Sequence, residues 1–163
     1  MLSAGAPVIA MASEQTHIIC FGNALHGDDG FGPTVYTHLG ETPLPPGVRL
    51  FCADTAGLGA LACFEDCTTA IVVDALRGFG PPGSLHSLAA GELEGSDDAA
   101  SANIHGAGVG SLLRLLPVAL PTPPRVRVIG VEIATLSPFQ PGLSAAVAAR
   151  LPEALAHIRR LLA

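Results

Sequence analysis

The segment Ile18-Ile19-Cys20-Phe21-Gly22-Asn23-Ala24-Leu25-His26-Gly27-Asp28-Asp29-Gly30-Phe31-Gly32 opens on an apolar run and leads into Pro33-Thr34-Val35-Tyr36-Thr37-His38-Leu39. The run Ile18 to Phe21 reads as a buried first strand, and the stretch after Gly32 can continue as a helix. A glycine-rich turn between a first strand and a first helix usually suggests phosphate, because helix N-termini attract anions. Here Asp28 and Asp29 stand where a phosphate would lie, and they would repel it. No Gly-x-Gly-x-x-Gly follows the strand, since Gly22 is succeeded by Asn23 and Ala24. Paired carboxylates at the carboxyl end of a strand suit a cation.

Strand and helix patterns alternate outward from this turn. Strands are expected at about 17–21, 48–53, 70–75, 84–88 and 125–131, the fourth a short edge strand. Helical segments are expected at about 29–40, 58–66, 106–116 and 144–162, the last broken or kinked at Pro152. Residues 77–83 and 89–102 read as loops, and 117–124 as a rigid proline-rich connector. The alternation predicts an α/β fold: a three-layer α/β/α arrangement with a mainly parallel twisted sheet of about five strands and helices on both faces. The 163 residues form a single domain by size, with residues 1–15 a loosely ordered extension. Ligands of such folds bind outside the carboxyl ends of the strands. Asp28 and Asp29 follow strand one, Asp54 follows strand two and Asp74 ends strand three, so four acidic positions gather at one edge of the sheet.

Composition narrows the partners. Hydrophobic residues make up 49% and charged residues 13%, which fits strands buried on both faces. The net charge is −6 and there is no basic cluster, so nucleic acid and anionic membrane are poor partners. No segment reaches the roughly 18 consecutive apolar residues of a membrane-spanning helix. Residues 1–12 are apolar but lack the basic start of a secretory signal, and Met11 offers an alternative start. Cys20 and Cys52 sit in strand-like runs, as small hydrophobes. Cys63 and Cys67 are four apart on an expected helix and would share a face, yet four-ligand zinc spacing is missing. A reduced, cytoplasmic protein is expected, either a monomer or a weak homodimer.

Three residues stand out as candidate ligands. Asp29 is either a helix N-cap or a ligand, with Asp28 competing for the cap. Asp74 interrupts an apolar strand, where a carboxylate is costly unless it meets Arg77, a loop amide or a bound cation. His105 lies among small residues, Gly106-Ala107-Gly108, that allow close approach of a partner. Two carboxylates and an imidazole suit a borderline divalent ion such as nickel or zinc, with positions left open. His26 and His38 are alternative ligands, and Glu132 follows the last strand on the same edge; His86 and His157 look peripheral. Neither a His-Glu-x-x-His helix nor a Gly-x-Ser-x-Gly elbow is present.

In order along the chain, these motifs resemble the maturation endopeptidases of nickel–iron hydrogenases. Gly22-Asn23-Ala24-Leu25-His26-Gly27-Asp28-Asp29-Gly30-Phe31-Gly32 is similar to that family's Gly-Asn-x-Leu-x-x-Asp-Asp/Glu-x-x-Gly segment. Ile71-Val72-Val73-Asp74-Ala75, His105-Gly106-Ala107-Gly108 and Val128-Ile129-Gly130-Val131-Glu132 resemble its later motifs. The resemblance implies an endopeptidase that trims a C-terminal extension from a nickel-loaded hydrogenase large-subunit precursor. It implies Asp29, Asp74 and His105 as catalytic residues and nickel ligands, the nickel being carried by the substrate. It also places Asp28, Asp54, Thr55 and Gly57 against the substrate. The chain departs from the family at Cys52-Ala53-Asp54-Thr55-Ala56-Gly57, where Asp-Gly-Gly-Thr-x-Gly is usual, so Asp54 stands at a glycine position. The alternatives are a non-catalytic nickel-dependent chaperone or checkpoint protein and a small-molecule hydrolase with its own metal.

Overall fold

The computed structural model describes residues 14–94, 108–134 and 136–163. Five strands form one sheet in the order β2-β1-β3-β5-β4. They are β1 (Thr16–Phe21), β2 (Val48–Asp54), β3 (Thr69–Leu76), β4 (Leu85–Ala89) and β5 (Arg125–Glu132). The first three and β5 run parallel, and β4 lies antiparallel on the outer edge of β5. The α-helices are α1 (Phe31–Gly40), α2 (Ala90–Glu94), α3 (Val109–Ala119), α4 (Ala145–Ala148) and α5 (Leu151–Leu161).

Alternation along the strands divides the core between the two faces of the sheet. Ile18, Cys20, Ile71, Val73, Ile129 and Val131 pack with Phe31, Val35 and Leu39 of α1 and with Ala154 and Ile158 of α5. Ile19, Phe21, Val72 and Val128 pack on the other face with Phe64 and with Leu112, Leu113 and Leu116 of α3. Helices thus cover both faces, and the three-layer architecture is the expected one. Being buried on both sides, β1 and β3 carry unbroken apolar runs at residues 18–21 and 70–73.

Several elements depart from the sequence-based boundaries. The first helix does not begin at Asp29: Gly27–Gly30 form a 3-10 turn, and Gly30 occupies the N-cap of α1 with no capping side chain. The second helical segment is also 3-10, Gly57–Phe64. Short, glycine-punctuated segments settle into this tighter winding more readily than longer ones. The chain then turns at Asp66, whose φ is 59°, so Cys63 and Cys67 do not share a helix face; the Cys67 thiol donates to the Phe64 carbonyl at 3.4 Å. Residues 90–94 form α2 rather than loop. Pro117 sits inside α3, which runs to Ala119; near a C-terminus proline forfeits few helix hydrogen bonds. The expected break at Pro152 is present, with this proline in the first turn of α5.

Candidate active site

The turn after β1 is built around two close backbone approaches. Gly22 has φ of 126°, and a Cβ there would collide with the carbonyl oxygen of Asp29. A Cβ at Gly32 would collide with the carbonyl oxygen of Phe21. Only glycine lets the 3-10 turn fold back on the end of β1 and lets α1 start directly against it. The Asn23 amide donates to the Asp29 carboxylate at 2.8 Å and to the Asp29 carbonyl at 3.1 Å. Asn23 Oδ1 in turn accepts from the Leu25 amide at 2.9 Å, the side chain closing a local turn. Asp29 is buried, 4% exposed, and its carboxylate helps to hold this loop. Neither aspartate caps α1.

Asp28 is tied elsewhere. Its carboxylate accepts from the Ser144 amide at 2.7 Å and from the Ser144 hydroxyl at 2.9 Å. Ser144 is the N-cap of α4, so this pair ties the turn to the start of the last helical pair. The Gly27 amide adds a second link, donating to the Gln140 carbonyl at 2.9 Å. His26 is half-buried and meets the ring of Phe139 edge-on, with centroids 5.6 Å apart.

Asp74 lies near the end of β3, in register with Gly130 of β5, and is half-buried. Its Oδ1 accepts from the Ala75 amide at 2.8 Å. The Nε of Arg77, one of the possible partners in the sequence, is buried without a hydrogen bond. Burial, and to a smaller extent the charges of Cys52 and Asp74, push the Cys20 thiol well above the usual range, so Cys20 is a protonated core residue.

The loop after β2 carries the departure at Asp54. Its φ is 45°, a left-handed conformation that glycine adopts readily and other residues rarely do. The Asp54 carbonyl accepts from the Gly22 amide at 2.9 Å, joining this loop to the turn after β1. A register shift between Cys20 and Phe21 leaves Ala53 as the extra residue that brings Asp54 opposite Phe21. The Asp54 carboxylate is exposed and accepts from the Cys52 thiol at 3.1 Å. Desolvation, followed by the Asp54 carboxylate, pushes the Cys52 thiol up to about 11. Thr55 is exposed and Gly57, with φ of 53°, opens the second 3-10 segment.

Sheet order places β2, β1 and β3 side by side and parallel, so Asp54, the Asp28–Asp29 turn and Asp74 share one carboxyl edge. The 3-10 turn packs against β3 as well as α1. His105 lies outside the described residues, and among the described residues no three His, Cys, Asp or Glu side chains are grouped as a ready metal site. His38 is spent on Glu41, 3.4 Å away at the far end of α1. His86 bonds to Ser84 at 2.8 Å on the outer strand, and His157 meets Arg160 at 3.2 Å on α5.

Glu132 has a different task from lining the edge. It is buried, and its carboxylate accepts from the amides of Gly78 at 2.7 Å and Phe79 at 3.1 Å. It thereby braces the loop that leaves β3 just after Asp74. Sequence reading missed this brace and the Asp28–Ser144 tie, because both join residues far apart in the chain. The left-handed backbone of Asp54 did have a signal, namely the glycine usual at that position.

Residues 33–161 match the hydrogenase maturation protease family. The chain is similar to the hydrogenase expression/formation protein HupD of Rhodobacter capsulatus, with 29% identity over 93% of this chain and 72% of that protein. It is similar to HupM of Azotobacter chroococcum, with 31% identity over 89% of this chain and 70% of that one. Among solved structures, the hydrogenase maturating endopeptidase HybD of E. coli shares the fold, with a TM-score of 0.78 at 23% identity and 91% coverage of both chains. The hydrogenase 2 maturation peptidase of a Thaumarchaeota archaeon superimposes with a TM-score of 0.67 at 30% identity, covering 91% of this chain and 98% of that one. This chain therefore belongs to the hydrogenase maturation proteases and is a peptide hydrolase.

Proposed function

We propose that this protease removes the C-terminal extension of a nickel-loaded hydrogenase large-subunit precursor, with Asp29, Asp74 and His105 engaging the substrate's nickel. The observation that supports this reading is the juxtaposition of the Asp28–Asp29 turn and Asp74 on adjacent parallel strands. In that arrangement nickel is cargo of the precursor, and the enzyme's carboxylates and imidazole complete a coordination shell that exists only when the metal has been loaded. A precursor without nickel would leave these carboxylates facing one another with no cation between them, and would be held less well. Cleavage would thus follow metal loading, and water would add across the peptide bond after the metal is in place.

Asp54 and Thr55 would flank the extension where it crosses the end of β2, with Asp54 narrowing the choice of precursor by its charge. Leu25 and Phe139 stand 57% and 83% exposed beside His26, and such apolar side chains suit contact with a protein substrate. The described residues include no helix long and apolar enough to cross a membrane. Four free cysteines fit a reducing compartment, and the cytoplasm is the proposed location.

The test is intact-mass spectrometry of the precursor, nickel-loaded and nickel-free, before and after mixing with the protease. Loss of a C-terminal peptide from the loaded form alone is the expected result. Equal cleavage of both forms would overturn nickel recognition, and a stable complex with no mass change would mark a checkpoint protein instead.

A further inference from the structure

Arg77 follows β3 directly, three residues after Asp74, and its Nε is buried with no hydrogen-bond partner. A covered donor without an acceptor destabilises a fold, and arginine in such a position is ordinarily paired. The other arginines are accounted for by position or partner. Arg49, Arg125 and Arg127 lie at the start of β2 and β5, at the opposite end of the sheet, and Arg150 is taken up by the Gly83 carbonyl at 2.8 Å and Glu153 at 3.3 Å. The remaining three lie on α3 and α5. Arg77 thus brings a cation with an unsatisfied Nε to a carboxyl edge otherwise marked by Asp28, Asp29, Asp54 and Asp74.

We propose that Arg77 is a substrate-binding residue of the protease, whose guanidinium takes a carboxylate of the precursor's C-terminal extension. The inference rests on the peptide-processing reading above and names a specificity element of the same site. An acidic group on the peptide would be repelled by the aspartates of this edge and held only beside Arg77. The planar fork of arginine matches a carboxylate in two parallel hydrogen bonds, which a lysine cannot reproduce. Two groups on the extension carry this chemistry: its acidic side chains and its terminal carboxylate.

Processing of the nickel-loaded precursor, followed by intact mass at varied precursor concentration, tests the assignment with Arg77→Met and Arg77→Lys. Arg77→Met is expected to raise KM by about tenfold or more while kcat stays within about twofold, the mark of lost binding. Arg77→Lys should recover part of the loss. The thermal midpoint of Arg77→Met should equal or exceed that of the unaltered protein, because an unsatisfied donor is gone. Two altered precursors separate the sources: one with the acidic residues of the extension changed to amides, one ending in a carboxamide. The precursor lacking the true partner should show the raised KM with the unaltered protease and no further rise with Arg77→Met. A KM within about twofold for Arg77→Met, or a rise that simply adds to that of both altered precursors, would overturn the proposal. Absence of processing by the unaltered protease would instead bring down the peptide-processing reading.

Discussion

Asp28 and Ser144, 116 positions apart, form a two-point clasp in which one carboxylate accepts both the amide and the hydroxyl hydrogen of the serine. The clasp joins the turn after β1 to the N-cap of α4, and so couples the candidate active site to the C-terminal helices. Asp28→Ala should lower unfolding free energy by about 1–2 kcal/mol, the usual scale for a lost charge-assisted bond beside a helix cap. The midpoint of thermal unfolding should fall by about 2–8 °C. An unchanged midpoint would show that the clasp contributes nothing to stability.

Asp74→Asn keeps the shape of the side chain and an oxygen that can accept from the Ala75 amide, bonded at 2.8 Å in the native chain. The fold should therefore persist, with an unchanged circular dichroism spectrum and melting temperature. Processing should fall by about a hundredfold or more, as when a residue of a metal site is replaced. Full processing by this variant would remove Asp74 from the site.

Asp54→Gly tests the residue in two ways. Glycine adopts the φ of 45° without strain, so the variant should be neutral or more stable by up to about 1 kcal/mol by urea denaturation. Loss of the carboxylate 3.1 Å from the Cys52 thiol should also lower that thiol's pKa from its raised position of about 11. Iodoacetamide should then label Cys52 faster in the variant than in the unaltered protein at about pH 8, because the thiolate is the reacting form. Equal rates would mean that the Cys52–Asp54 contact does not persist in solution.

Alkaline pH should weaken the fold through Cys67. Burial, and to a lesser degree the nearby Asp66, push its thiol from 9.0 to about 11, against a small opposing effect of the backbone at His17. Below pH 9 the thiol is protonated in both folded and unfolded chains, and its full contribution is present. Between about pH 9 and pH 11 the unfolded chain releases the proton and the folded chain keeps it, so stability declines with rising pH. Cys67→Ala should flatten this part of a stability–pH curve measured by urea unfolding. A curve as steep as that of the unaltered protein would assign the decline to other groups.

Glu132→Gln should loosen the loop after β3, since a carboxylate accepting two amides becomes a neutral amide group with one acceptor oxygen. A cost of about 1–3 kcal/mol is expected, read as a lower midpoint in urea. Faster hydrogen exchange at Gly78 and Phe79 would localise the effect, and unchanged exchange there would contradict it.

Much of the architecture is legible in the chain because its cause is local. Ile18-Ile19-Cys20-Phe21 and Ile71-Val72-Val73 are apolar without interruption, as strands covered on both faces must be. Pro152 breaks the last helical stretch where its missing amide demands it. Other features were hidden because their cause is distant or slight. The 3-10 winding of Gly57–Phe64 differs from an α-helix by a small change in backbone angles that composition does not report. Pro117 reads as a stop, yet the buried Leu112, Leu113 and Leu116 carry α3 past it. The acidic positions on the shared edge were visible as strand ends, whereas the Asp28–Ser144 clasp depends on where residue 144 returns in space.

The strand order has a consequence for the birth of the protein on the ribosome. Among the described residues β4 has β5 as its sole neighbour in the sheet, and β5 is also the strand that joins β4 to β3. A nascent chain that has emerged only as far as α3 therefore carries β4 before the strand it pairs with, β5, has been made. Ser144 follows later still, so the clasp that secures the turn bearing Asp28 and Asp29 forms only after β5 has emerged. The acidic turn is thus locked in place only after translation has passed β5 and reached Ser144.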